Sequence, residues 1–150
     1  TEAVSFSRYP PEGKRGIGGE RATRWGKGMA DYVRQANDRI LVVPMIESVQ
    51  AADNIKELVK VPGVEIFFFG PADFTSSAGY AGQWEGPGVA EQILAANNVI
   101  LESDKNSGVI VTSEENLVLR TDQGFRMVGL GTDSSFLLNG MKQMLDAVGR

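Results

Sequence analysis

Apolar positions along the chain fall into two kinds of run. Short continuous runs at residues 40–46, 64–69, 109–111 and 127–131 read as buried strands. Between them, apolar residues recur every three or four positions, as on one face of a helix. Met29, Tyr32, Val33 and Ala36 form one such stripe, and Ala51, Ala52, Ile55, Leu58 and Val59 a second. Val89, Ile93, Ala96 and Ile100 form a third, and Leu137, Met141, Met144, Leu145 and Val148 close the chain with another. The opening residues 1–7 read as the end of a helix without a start signal, and an upstream part is expected.

Punctuation fits this scheme. Ser48 can cap the second helix, which Pro62-Gly63 stops. Residues 74–86 read as a long polar loop, after which Pro87 suits a first helical turn. Thr112 and Glu115 fit a capping box for a helix reaching about Gln123, with Gly124 as its stop. Asp133 or Ser134 is expected to cap the last helix. Strict alternation of helix and strand predicts an α/β fold with a parallel sheet and right-handed crossovers. Four such units suit either a small doubly wound sheet or half of an eight-stranded barrel. No linker divides the chain, so residues 1–150 read as one domain.

Composition narrows the chemistry. A net charge of -4 speaks against nucleic acid as a partner. No apolar run is long enough for a membrane span and no signal peptide opens the sequence, so a cytoplasmic location is expected. The chain has neither cysteine nor histidine. Any metal held by these residues alone must sit among oxygens, which favours magnesium or manganese.

Two runs end abruptly in a carboxylate: Pro44-Met45-Ile46-Glu47 and Phe69-Gly70-Pro71-Ala72-Asp73. In a parallel sheet both acids would lie at the same rim, one strand apart, where two carboxylates can share a divalent cation. Taken alone, Glu47 reads equally well as a helix cap or an arginine partner, and Asp73 as an N-cap for residues after Phe74. Gly70 admits close approach of a ligand, and the amides of Ala72 and Asp73 could face a carboxylate at a helix start; a plain strand-to-helix turn reads the same way. Gly16-Ile17-Gly18-Gly19 lacks the spacing of a phosphate loop. Arg15, Arg21 and Arg24 could neutralise an anionic substrate or lie solvated in surface pairs. Trp25 and Trp84 could line a mouth or an oligomer contact.

Together with the two carboxylate segments, Arg8-Tyr9-Pro10-Pro11-Glu12-Gly13-Lys14-Arg15-Gly16-Ile17-Gly18, Gly79-Tyr80 and Val128-Gly129-Leu130-Gly131-Thr132-Asp133 resemble the HpcH/HpaI aldolase family. The resemblance spans almost the whole chain in order. It implies the C-terminal half of a TIM (β/α)8 barrel, units 5–8 with the end of unit 4, since such barrels need about 250 residues. It further implies cleavage of a 2-keto-4-hydroxy acid to pyruvate and an aldehyde through a metal-stabilised enolate. Glu47 and Asp73 would be the metal ligands, for magnesium or manganese with cobalt also admissible. Gly70, Pro71, Ala72 and Asp73 would be the substrate-binding turn. The family's base and substrate arginine belong to an N-terminal half that no residue here matches. The implied assembly is a homo-oligomer, a hexamer or related form with exchanged C-terminal helices. A citryl- or malyl-CoA lyase on a related barrel, and a half-barrel that only binds or associates, are the alternatives.

Overall fold

The computed structural model describes residues 1–83 and 86–149; Trp84 lies outside them. Four strands form one parallel sheet: β1 (Met45–Ile46), β2 (Ile66–Phe69), β3 (Asn106–Ile110) and β4 (Met127–Gly129). The helices are α1 (Glu2–Ser7), α2 (Met29–Arg39), α3 (Val49–Asp53), α4 (Ile55–Leu58), α5 (Pro71–Ser77), α6 (Val89–Glu102), α7 (Glu114–Asp122) and α8 (Asp133–Asp146). A short 3-10 turn occupies Arg21–Thr23.

Strand order decides between the two architectures. It runs β1-β2-β3-β4, the order of the chain. A doubly wound sheet reverses direction at a switch point; this one never does. With every crossover of one hand, the connecting helices fall on one face, as in half a barrel.

Register and burial agree with this. One row across the sheet is Ile46, Phe69, Val109 and Val128. Its first three members are buried in the core with Phe67, Phe74, Ile93 and Ile100. The alternate row is Met45, Phe68, Gly108 and Met127. Met45 is 54% exposed and Met127 39%, so the face away from the helices is open. Gly108 belongs there because a Cβ would sit 2.6 Å from Phe68 Cδ2 and 2.6 Å from the Met127 carbonyl oxygen.

Several local expectations change. The strand expected over 40–46 pairs only at Met45–Ile46. It is an edge strand, and Pro44 has no N–H to donate, although its carbonyl accepts from Phe68 N–H at 3.0 Å. Residues 49–58 form two short helices, broken at Asn54 (φ -93, ψ 9), a residue type that competes for its own backbone bonds. The loop expected from residue 74 begins as a helix: Pro71 occupies the first turn of α5, and Phe74 and Thr75 are fully buried. Pro87 precedes α6, whose N-cap is Gly88. Ser113, not Thr112, caps α7, accepting from Asn116 N–H at 3.1 Å. Thr132, not Asp133 or Ser134, caps α8 in a capping box with Ser135. Ser48 caps α3 as expected, accepting from Ala51 N–H at 3.2 Å.

The N-terminal segment is braced on α2. Asn37 accepts from Tyr9 N–H at 2.7 Å and donates to the Tyr9 carbonyl at 3.0 Å and to Glu12 Oε1 at 3.1 Å. That bond, and a second from Arg8, hold the Glu12 carboxyl below its usual range.

Candidate active site

Both predicted carboxylates stand at the C-terminal rim of the sheet. Glu47 follows the last residue of β1, and Gly70 follows the last residue of β2, so the Ile46–Phe69 pairing places them side by side. The Gly70 N–H continues the ladder to the Ile46 carbonyl at 3.1 Å. The Glu47 side chain lies against Gly70: a Cβ there would be 3.4 Å from Glu47 Cβ and 3.6 Å from Oε2. A Cβ at Gly70 would thus be in ordinary van der Waals contact with the Glu47 side chain, so the turn and the acid lie directly beside each other.

Gly70 is also the N-cap of α5, and Pro71 opens the helix. Asp73 lies in its first turn and so is not the cap considered for it from the sequence. A carboxylate there is favoured by the helix dipole. The amides of Ala72 and Asp73 belong to the group that no helix can bond internally. Pro71 is buried, while Ala72 and Asp73 are exposed.

Glu47 is exposed too, which removes the desolvation cost that a buried strand-end carboxylate would carry. Neither Glu47 nor Asp73 forms an ion pair or side-chain hydrogen bond among the described residues, so neither is committed to a structural role. One further residue, Ser77, was not singled out from the sequence. Its Oγ accepts from Val49 N–H at 3.1 Å and so ties the loop carrying Glu47 to the end of the helix carrying Asp73. A serine at the end of a short helix carries no signature of that role; only the fold exposes it.

The candidate donors are two exposed carboxylates at one rim of the sheet. No cluster of three or more acidic side chains that could hold a metal occurs among the described residues. Two carboxylates with the remaining positions left to water and substrate is an arrangement that suits magnesium, which dehydrates reluctantly.

Comparison with known proteins places this rim in context. The HpcH/HpaI aldolase/citrate lyase family model matches residues 1–140. The chain belongs to this family. It is 38% identical over 138 residues to the 4-hydroxy-2-oxo-heptane-1,7-dioate aldolase of Escherichia coli (Crooks strain), covering 91% of this chain and 52% of that protein. The fold matches an HpcH/HpaI aldolase/citrate lyase family protein of Burkholderia cenocepacia J2315 with a TM-score of 0.86 at 27% identity, over 98% of this chain and 59% of that one. It also matches the HpcH/HpaI aldolase of Desulfitobacterium hafniense DCB-2 with a TM-score of 0.80 at 25% identity, over 97% of this chain and 57% of that one. The architecture is thus α/β, the C-terminal half of a TIM-type barrel as built in HpcH/HpaI aldolases. The chain spans about half the length of the curated relatives it matches. No helix among the described residues is long and apolar enough to cross a membrane.

Proposed function

We propose that this chain supplies the metal-binding half of a class II aldolase acting on a 2-keto-4-hydroxy acid. The observation that carries the reading is the contact of Glu47 with Gly70, three residues before Asp73, on a rim where both acids lack other partners. In this reading residues 1–150 are barrel units 5–8 with the end of unit 4. The base and the substrate arginine are assigned to no residue here. The named aldolase relatives support a keto-acid substrate of this class.

Glu47 and Asp73 would hold the divalent ion, magnesium or manganese, in an all-oxygen site. When bound, it supplies positive charge beside the substrate's keto oxygen. The chain's own residues do the rest of the positioning. Gly70 keeps the floor low enough for the keto acid to lie against the backbone. The Ala72 and Asp73 amides donate to its carboxylate. In the retro-aldol step the C3–C4 bond breaks, its electron pair passes to the pyruvate portion, and C4 leaves as an aldehyde after losing its hydroxyl proton to a base. Proton return to C3 gives pyruvate. The homo-oligomer belongs to the same reading, with a second copy covering the exposed face of α8.

The test is manganese binding by the chain, followed by electron paramagnetic resonance, alongside pyruvate release from a 4-hydroxy-2-oxo acid. Glu47→Gln and Asp73→Asn should each weaken manganese binding by ~100-fold or more. Unchanged binding in both variants would reject the site. Metal binding without pyruvate release would leave a binding half-barrel rather than an enzyme.

A further inference from the structure

A second region has the makings of a site, and it contains none of the rim residues. A cavity of about 500 Å3 lies between the loop at 20–28 and α2, and every residue lining it falls between Arg15 and Ile40. Its size suits a small metabolite. Three guanidinium groups line it: Arg15, Arg24 and Arg39. The chain has more acids than bases, yet none of the three is ion-paired among the described residues. The one carboxylate in the lining, Asp31, is paired with Arg34.

The arginines are held in place by the fold. Arg15 stacks on the rings of Tyr9, at 4.8 Å, and Tyr32, at 5.6 Å, and donates from one Nη to the Tyr32 hydroxyl at 3.1 Å. Tyr9 is only 3% exposed and is pinned through its backbone by Asn37. This fixes the Arg15 plane and leaves further N–H donors free. Arg24 sits in the left-handed region at φ 53, and Trp25 follows at φ 52. For bulky residues this conformation is strained and needs support from its surroundings. Thr23 provides it: buried, it donates to the Glu20 carbonyl at 2.9 Å, and its own carbonyl accepts from Gly28 N–H at 2.9 Å. The strained turn therefore holds a third guanidinium in the lining of the same cavity.

We infer that this cavity binds a small organic polyanion, recognised through phosphate or carboxylate oxygens by the three guanidinium groups. Planar guanidinium forks match both kinds of oxyanion. The site is separate from the carboxylate rim and does not depend on the aldolase reading.

The test is calorimetric titration of the full chain, in chelator and at fixed ionic strength, with pyrophosphate in one arm and citrate in the other. Saturable one-to-one binding of either supports the site, and the tighter arm identifies the oxyanion. Arg24→Ala combined with Arg39→Ala should weaken it roughly tenfold or more, with the thermal midpoint unchanged. Both positions are exposed, so the variant is expected to fold; Arg15→Lys, which keeps the charge but loses the fork, should give a smaller loss. Lys60→Ala combined with Lys142→Ala removes equal charge elsewhere and should leave binding intact, as should Glu47→Gln. No saturable binding in either arm would overturn the proposal. So would an equal loss in the lysine control or in Glu47→Gln.

Discussion

Helices α6 and α8 are both 14 residues long, and both carry apolar residues at helical spacing, yet their surroundings are opposite. In α6, Val89, Ile93, Ala96 and Ile100 are all buried, Ile100 completely. In α8 no residue is buried; Leu137 is 66% exposed and Met144 74%. The difference lies in connection, not in pattern. The α6 helix lies after α5 in the connection from β2 to β3, so the chain is in the sheet before and after it, and its stripe packs in the core with Phe69 and Val109. The α8 helix follows the edge strand β4, and none of its residues belongs to the core cluster among the described residues. An apolar stripe states that a surface will be covered; the topology determines whether this chain can cover it.

The strongest way to break this comparison is to empty each stripe in turn. Ile93→Ala or Ile100→Ala should cost about 2–5 kcal/mol, because each removes buried methyl groups from a packed core. Leu137→Lys combined with Met144→Lys should change single-chain stability by less than about 0.5 kcal/mol, as for exposed sites. The same double variant should dissociate any assembly, read by sedimentation velocity. Urea titrations at one protein concentration compare the two pairs. Equal losses in both would show that α8 packs on its own chain.

A smaller effect is expected on the open face of the sheet. Gly108→Ala places a methyl group against Phe68 and the Met127 carbonyl, and the clash with backbone cannot be relieved by a side-chain rotation alone. Overpacking of this kind typically costs about 1–3 kcal/mol. The corresponding change at Gly140 of α8, where a Cβ would meet nothing within 4 Å, should be neutral or slightly stabilising. Circular dichroism melts of the two variants test the contrast.

The same contrast explains what was legible in the sequence. The α6 stripe was readable residue by residue, and so was the placement of Glu47 and Asp73 at one rim of the sheet, because both follow from period and from parallel register. Helix α5 was not readable as such: its seven residues are too few to show a period, and Thr75, Ser76 and Ser77 look like loop. Pro71 was the available signal, since a proline directly after a strand suits a first helical turn. The pairing of β1 was overread because an apolar run does not reveal whether a neighbouring strand extends alongside it. The anchoring of Arg15 brings in Tyr32, 17 residues further on, and could not be read from spacing at all.

The finest test uses the helix caps, where the chemistry is matched and only the packing differs. Ser113 caps α7 and Thr132 caps α8, each accepting a bond from a backbone N–H three residues on. Removing either hydroxyl costs its helix about 1 kcal/mol. Helix α7 is coupled to the core through Leu117 and the buried Arg120, so Ser113→Ala should lower the global unfolding free energy by that amount. Ser113 also contributes, after a backbone bond at Glu115 itself, to holding the Glu115 carboxyl below its usual range. That carboxyl's contribution is present above its unfolded value and lost as the pH falls through the folded one, so the Ser113→Ala deficit should narrow in acid. Helix α8 has no residue in the core cluster among the described residues. In the Leu137→Lys, Met144→Lys background, Thr132→Ala should speed hydrogen exchange in the first turns of α8 while the global midpoint stays fixed. A global shift matching that of Ser113→Ala would mean that α8 is already part of the same cooperative unit.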